Sequence, residues 1–195
     1  MATLALRPVD EKDTSALRAI YAPYIATPIT FEIKLPSEAA YAERIEEIAA
    51  MYPYIVAEYG GEIVGYAYAH RHMDRAAYDW NAEVSIYLAR NVTHRGIGTK
   101  LMGALLEILA RQGIRNAYSL ITLPNPASIR LHTACGFRQY GIMHQTGFKA
   151  GIWYDVGCYE KTLAAHEENP GAPVSWRAIS DAAVRTVLAR WGTLG

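Results

Sequence analysis

Cysteine is scarce in this sequence, and long apolar segments are missing. The two cysteines, Cys135 and Cys158, are too few for a disulfide framework or a zinc cluster, so we expect both to be buried and no metal site to be present. No apolar run approaches the length of a membrane-spanning helix, and the start MATLALRPVDEKD lacks the apolar segment of a signal peptide. These absences predict a cytoplasmic protein with no membrane partner.

An excess of charge of either sign is also missing. The 195 residues include 19 basic (Lys and Arg) and 19 acidic residues, so the formal net charge is zero. No overall field therefore favours nucleic acid, and no nucleic-acid partner is expected. Hydrophobic residues make up 51% and charged residues 19%, a balance typical of a globular domain with a substantial core.

Periodicity and turn residues predict a mixed α/β sheet. The order of elements is strand, two helices, three strands, helix, strand, helix and two strands. Gly60-Gly61 indicates a tight hairpin between two apolar runs, the next strand extends from about Tyr78 to Leu88, and Gly113 ends the helix after it. The sequence thus predicts a sheet of about seven strands flanked by helices, with crossovers only around the two later helices.

Capping residues indicate where the first two helices begin. Asp10 or Asp13 begins the first helix, and Ser37 begins the second. The segment between these helices contains Pro28 and Pro36, so it is predicted to be a loop that could line a site.

Residues 164–195 form a tail after the predicted domain of residues 1–163. AHEENPGAP is typical of a linker, and VSWRAISDAAVRTVLARW predicts an amphipathic helix. The apolar residues near one face of this tail are Trp176, Ile179, Val184, Val187, Leu188 and Trp191. That face needs cover, either from its own domain or from another chain.

The stretch VTHRGIGTKLMG joins the strand-like SIYL to a helix through two glycines. Backbone N–H groups at a helix N-terminus, together with the helix dipole, favour an anion, and Gly96 and Gly98 let a phosphate or pyrophosphate approach closely. The alternative is that the glycines only permit tight packing of strand and helix. Leu101 stands where a dinucleotide fingerprint has its third glycine, and the GK[ST] of a nucleotide-triphosphate loop is absent.

Several motifs in order resemble one family. RGIG followed by LLEIL and LPNPASIRLHTACGF resembles the GNAT superfamily of acetyl-CoA-dependent N-acetyltransferases. MYPYIVAE, RAAYDWNAEVSIYL and GFKAGIWYDVGCYE are similar to its phosphinothricin acetyltransferase branch, and the resemblance covers residues 3 to 163. Thr93 stands where the family usually has Gln or Arg. The resemblance implies the GNAT fold and acetyl-CoA as cosubstrate.

The resemblance also implies which residues hold acetyl-CoA. A strand segment would pair with the pantetheine arm, the glycine turn would surround the pyrophosphate, and Asn125 would lie near the thioester end. The implied residues are Ile86, Tyr87 and Leu88 for the arm, and His94, Arg95, Gly96, Ile97, Gly98 and Thr99 for the pyrophosphate. Asn125 also precedes a helix, so the alternative role is an N-cap, and the two roles are compatible.

Acetyl transfer to an ammonium group needs a base and a proton donor for the departing thiolate. Glu83 is the candidate base, and His132 occupies the position where many GNAT enzymes carry a proton-donating Tyr. Tyr87 and Tyr118 remain alternative donors. The plainer interpretations are a solvent-facing strand carboxylate for Glu83 and a structural role for His132.

The resemblance also implies which residues bind the acceptor. The implied residues are Met73, Asp74 and Arg75 in the loop and Glu83, Val84 and Ser85 on the strand. The guanidinium of Arg75 suits a carboxylate, although a solvated loop charge is the alternative. Met73 stands where the branch can have a basic residue. Phe31, Lys149 and Trp153 are candidates for shaping the pocket, with packing favoured for Trp153.

The implied function is direct transfer of acetyl from acetyl-CoA to a glutamate-like amino acid, such as phosphinothricin, methionine sulfoximine or methionine sulfone, by a homodimer. Three alternatives stay open. In the first, the enzyme acetylates another small amine or a protein N-terminus. In the second, the protein is a non-catalytic acyl-CoA sensor, and in the third, the acetyl group is first transferred to Cys135.

Overall fold

The computed structural model describes residues 3–92 and 96–193. The strands are β1 (Leu4–Pro8), β2 (Tyr54–Tyr59), β3 (Glu62–Arg71), β4 (Asn81–Leu88), β5 (Asn116–Thr122), β6 (Arg138–Lys149) and β7 (Ile152–Thr162). The helices are α1 (Thr14–Ile25), α2 (Glu38–Met51), α3 (Ile97–Gln112), α4 (Pro126–Ala134) and α5 (Asp181–Trp191). The predicted order of elements is confirmed.

The strands form one mixed sheet in the order β1-β2-β3-β4-β5-β7-β6. Adjacent strands in this sheet are antiparallel, except for β4 and β5, which run parallel. The parallel ladder is short, because it pairs only three residues of each strand and ends at Glu83 opposite Tyr118. Beyond that point, β4 continues to Leu88 and β5 to Thr122 without pairing with each other.

The two faces of the sheet bury different cores. One face packs against α3 and α5 through aliphatic side chains such as Ile55, Val84 and Leu105. The other face packs against α1 and α2 and is rich in tyrosine, including Tyr54 and Tyr66, whose stacked ring centroids lie 5.7 Å apart. Because side chains alternate along a strand, β4 contributes to both cores.

Local signals set most element boundaries. The Ser37 hydroxyl accepts a hydrogen bond from the Ala40 amide (3.2 Å), which confirms the predicted cap of α2. Asp10 caps a short 3-10 turn that leads into α1, so the first helix begins in two steps. The predicted start of β4 at about Tyr78 is wrong, because residues 76–78 form a 3-10 turn and the strand begins at Asn81.

The tail helix α5 packs against its own chain. Val187 and Leu188 are buried against the core shared with α3 and β1. The Trp191 ring lies against Gly103 of α3, where an added Cβ would be 2.4 Å from the ring, and its indole N–H donates to Glu107 (2.9 Å). In the part of the chain that the structure describes, no helix has the length and apolarity required to cross a membrane.

Candidate active site

A cavity opens where the β4–β5 ladder ends. One wall is the segment 84–87 of β4, and the other is the segment 119–122 of β5. Asn125, Ser128 and His132 of α4 close one side, and Ile29 comes from the loop between α1 and α2. The predicted residues Val84, Ser85, Ile86, Tyr87, Asn125 and His132 therefore lie around one cavity.

Alternation along β4 divides its side chains between the two faces of the sheet. Glu83, Ser85 and Tyr87 project to one face, and Tyr87 packs with the tyrosine-rich core. Ile86 and Leu88 project to the other face and pack against the core beneath α3. Leu88 is partly engaged within the chain, because its carbonyl accepts a hydrogen bond from the Tyr24 hydroxyl (2.6 Å).

Glu83 is the last residue of β4 that pairs with β5. Its side chain is 18% exposed, so the plainer interpretation as a solvent-facing carboxylate does not hold. Two histidines flank it: Nδ1 of His72 lies 3.2 Å from Oε2, and Nε2 of His70 lies 3.9 Å from Oε1. The His72 ring stacks on Tyr118, with centroids 4.2 Å apart and planes 7° apart.

The sequence interpretation missed His70 and His72. The available signal was the antiparallel register of β3 and β4, which places His70 opposite Glu83. Histidines two residues apart on a strand project to the same face. The motif HRH at the end of β3 therefore marks a histidine pair beside the candidate base.

His132 is buried, with 2% of its surface exposed. Its Nδ1 lies 2.8 Å from the Ser128 backbone oxygen, and because a carbonyl only accepts, Nδ1 carries the proton. Nε2 is buried, and no described residue hydrogen-bonds to it. Burial lowers the pKa of His132, while the Ser128 carbonyl opposes that shift. A neutral ring of this tautomer offers an acceptor at Nε2 and no proton.

The two alternative donors are protonated phenols. Burial raises the pKa of Tyr87 well above its usual range, and nearby tyrosines reinforce the shift. Burial also raises the pKa of Tyr118, with a smaller contribution from the Glu160 carboxylate. Tyr87 lines the cavity, whereas Tyr118 lies beneath the His72 ring.

Asn125 caps a helix and also lies at the cavity. Its side-chain oxygen accepts a hydrogen bond from the Ser128 amide (3.2 Å), which caps α4. The same residue lines the cavity. The N-cap role is therefore confirmed, and the position is compatible with ligand contact.

The glycine turn combines an open backbone with tight packing. Gly96 precedes α3 with φ of 74°, a left-handed conformation that favours glycine, and nothing lies within 4 Å of an added Cβ. At Gly98 an added Cβ would lie 3.2 Å from the Leu88 side chain, so the packing interpretation accounts for this glycine. Ile97 is buried in the core and Thr99 is exposed. The predicted residues His94 and Arg95, with Thr93, lie outside the described residues.

The loop between β3 and β4 holds the remaining predicted acceptor residues. Met73, Asp74 and Arg75 are all exposed and do not line the cavity between β4 and β5. Arg71 fixes the loop by donating to the Asp74 carbonyl (2.7 Å) and pairing with Asp79. Within residues 3–92 and 96–193, the Arg75 side chain has no hydrogen-bond or ion-pair partner.

The loop between α1 and α2 is anchored to β6. The Lys149 ammonium donates to the backbone oxygens of Thr27 (2.8 Å), Thr30 (2.6 Å) and Glu32 (2.8 Å). Burial lowers the pKa of Lys149, and the Glu32 carboxylate opposes that shift. The Phe31 ring lies against Gly147, where an added Cβ would be 2.0 Å from it. This clamp holds in place the loop that brings Ile29 to the cavity.

Trp153 and Cys135 lie away from the cavity between β4 and β5. Trp153 is 58% exposed and contacts Phe148 (ring centroids 5.1 Å apart), so its packing is with a neighbouring side chain of the same hairpin. Cys135 ends α4 and lines a separate groove with Glu107 and Trp191. Burial raises the pKa of its thiol, although the Lys161 charge opposes the shift.

Comparison with known proteins agrees with this architecture. A family model described as an acetyltransferase (GNAT) domain matches residues 6–157. The phosphinothricin N-acetyltransferase of Streptomyces viridochromogenes is 33% identical over 176 residues, covering 90% of this chain and 94% of that protein. An L-methionine sulfoximine/L-methionine sulfone acetyltransferase of Pseudomonas aeruginosa is 35% identical over 106 residues, covering 54% of this chain and 62% of that protein.

A solved structure extends the likeness to three dimensions. The crystal structure of a GNAT superfamily phosphinothricin acetyltransferase from Sinorhizobium meliloti, in complex with acetyl-CoA, matches with a TM-score of 0.81 and 34% identity. The match covers 90% of this chain and 99% of that one. The fold, the family model and the relatives agree, and the chain belongs to the GNAT family of acetyltransferases.

Proposed function

We propose that this enzyme transfers the acetyl group of acetyl-CoA directly to the amino group of a glutamate-like amino acid of the phosphinothricin, methionine sulfoximine or methionine sulfone type. One observation carries the proposal: the β4–β5 ladder ends at Glu83, so a partly buried carboxylate directly precedes the segment 84–87 that forms one wall of a cavity between two strands. The names of the relatives support this acceptor class.

The residues around the cavity fit acetyl-CoA. Beyond Glu83, the edge of β4 that faces β5 has no strand partner, so its backbone groups before Leu88, which bonds to the Tyr24 hydroxyl, are available to the amide-rich pantetheine arm as though to an added strand. The buried Nε2 of His132 also needs a partner, which a ligand in the cavity would supply. The turn at Gly96 leaves space for a pyrophosphate at the start of α3.

The chain's own groups support a division of roles. Glu83 accepts the proton of the acceptor ammonium, because a primary amine of pKa about 8 to 10 arrives protonated and is not nucleophilic. The nitrogen lone pair then forms the amide bond as the carbon–sulfur bond breaks. The nitrogen loses its second proton in this step, and the thiolate takes it up to become a thiol. His132 accepts a hydrogen bond from the bound ligand through Nε2 and orients that ligand, since its own proton is on Nδ1. Tyr87, a protonated phenol at the cavity, hydrogen-bonds the departing sulfur.

The position of Cys135 supports direct transfer over an acetyl relay. Its thiol lines a groove near α5 and is absent from the cavity between β4 and β5. Cys135 is only partly buried, but a thiol with a raised pKa is a poor nucleophile near neutral pH.

Arg75 is our candidate for the acceptor's carboxylate. It is exposed in the loop that leads to β4, and it lacks a partner among the described residues. A guanidinium pairs with a carboxylate through two parallel hydrogen bonds and repels a polyamine.

We also propose a homodimer that uses β6 and β7. β6 is the edge strand of the sheet and is 12 residues long. Large apolar side chains of this hairpin are exposed, including Phe148, Ile152 and Trp153. A long apolar edge of this kind favours pairing with another chain. Light scattering should give twice the chain mass, and Phe148→Glu should lower it; a monomeric parent protein would contradict the proposal.

A thiol-release assay with acetyl-CoA tests the activity. The acceptor panel is phosphinothricin, methionine sulfoximine, methionine sulfone, glutamate and a polyamine. We expect selective turnover of the first three, and loss of kcat by at least about 100-fold in Glu83→Gln with acetyl-CoA binding retained. Glu62→Gln, an exposed strand carboxylate, is the matched control. Preference for the polyamine would refute the acceptor class, and unchanged kcat in Glu83→Gln would refute its role as base.

A further inference from the structure

A histidine contacts the candidate base at the end of the ladder. Nδ1 of His72 lies 3.2 Å from Oε2 of Glu83, and the His72 side chain is 9% exposed. A carboxylate only accepts hydrogen bonds, so this ring nitrogen carries the proton. His70, which lies opposite Glu83 in the β3–β4 register, is 3.9 Å from Oε1, too far for a hydrogen bond.

Resting on the proposed function, we infer that His72 is a positioning residue for Glu83. It holds Oε2 through one hydrogen bond, which leaves Oε1 to take the proton of the acceptor ammonium. No described residue hydrogen-bonds to Oε1. One oxygen is therefore fixed and the other is available for proton transfer.

The His72 ring is itself held by packing. It stacks on Tyr118 with nearly parallel planes, and Tyr118 is the residue of β5 that pairs with Glu83 in the last step of the ladder. His72 thus contacts the side chains of both residues that form this last pair. A ring fixed in this way restricts the rotamers of the carboxylate, and a restricted base needs less reorganisation at the transition state.

The proton balance needs no proton from His72. Oε1 of Glu83 gains one proton from the ammonium, the nitrogen forms a bond to the acetyl carbon, and the electron pair of the broken carbon–sulfur bond stays on sulfur. The nitrogen loses a second proton as it becomes an amide, and the thiolate takes up that proton to become a thiol. His72 keeps its Nδ1 proton throughout and acts only as a donor. Its removal should lower kcat and leave acetyl-CoA binding intact.

Two substitutions separate the hydrogen bond from the packing. His72→Phe keeps a ring for Tyr118 and removes the donor, whereas His72→Asn places an amide N–H close to the position of Nδ1. We expect His72→Phe to lower kcat by about 10- to 100-fold, as one hydrogen bond to a charged group predicts, with KM for acetyl-CoA within about two-fold. His72→Asn should recover kcat to within about five-fold of the parent enzyme. His166→Phe, at an exposed histidine outside the cavity, is the matched control, with kcat within about three-fold.

A double substitution tests whether His72 acts through Glu83. In the Glu83→Gln background, His72→Phe should lower kcat by less than about two-fold further, because the carboxylate it positions is gone. Additive losses would overturn the inference, and so would equal losses in His72→Phe and His72→Asn, or parent-like kcat in His72→Phe. If the Glu83→Gln variant keeps the parent kcat, Glu83 is not the base and the proposed function is refuted on that point. If Glu83→Gln lowers kcat but His72→Phe does not, the proposed function stands and only this inference is refuted.

Discussion

Lys149→Met should release the loop between α1 and α2. The ammonium donates three hydrogen bonds of 2.6 to 2.8 Å to backbone oxygens of that loop. A hydrogen bond from a charged donor contributes about 1.5–3 kcal/mol. The three bonds share one ammonium, and its removal also removes the cost of burying a charge, so the sum of three is too large.

We therefore expect a net loss of about 2–3 kcal/mol, which corresponds to about a 30- to 150-fold increase in the opening of the loop. Hydrogen exchange of the peptide that spans residues 26–36 measures this change directly. If the loop opens only with global unfolding, Tm should fall by about 4–12 °C for a chain of this size. Turnover should fall as well, because Ile29 of this loop lines the cavity.

Two further variants make the test specific. Lys34→Met removes an exposed lysine from the same loop and should leave exchange unchanged. Lys149→Arg should not restore protection, because a planar guanidinium cannot direct three N–H groups as a compact ammonium does. Equal exchange in Lys149→Met and Lys34→Met would refute the clamp.

Three other predictions follow from the packing. Gly103→Val should lower the free energy of unfolding, measured in urea, by about 1–3 kcal/mol, because the Trp191 ring fills the space beside Gly103. The loss should be smaller in the Trp191→Ala background, and equal losses in the two backgrounds would contradict this contact. Burial lowers the pKa of His132, so only the unfolded chain binds a proton just below pH about 6.5, and stability should fall with falling pH by up to about 1.4 kcal/mol per unit. His132→Gln should flatten that dependence, and a parallel dependence would refute it. Cys135→Ser should leave kcat within about two-fold, and a ten-fold loss would restore the acetyl relay.

Local signals explain why so much of the fold was predictable. Ser37 caps α2 through a contact three residues away, and Gly113 ends α3 with φ of 98°. Alternation along β4 correctly separated Glu83 and Ser85 from Val84 and Ile86. The start of β4 was wrong because the 3-10 turn at residues 76–78 has no period of its own to distinguish it from a strand.

The candidate site was only partly predictable, because several of its contacts depend on distant pairing. His72 is 11 residues from Glu83 in sequence, and their contact requires the register of β3 and β4. Lys149 is 119 residues from Thr30, and an exposed lysine is the ordinary expectation for a β-hairpin. The buried face of α5 also required the structure, since an amphipathic helix does not specify its partner.

The sequence by itself determined the order of strands and helices, the glycine turn before α3 and the family, because periodicity, caps and motifs are encoded within short segments. Only the tertiary structure decided where the β4–β5 ladder ends, which groups contact Glu83, and that His132 is buried with no described partner at Nε2. These properties arise from burial and from hydrogen bonds between segments, and neither is a function of local sequence.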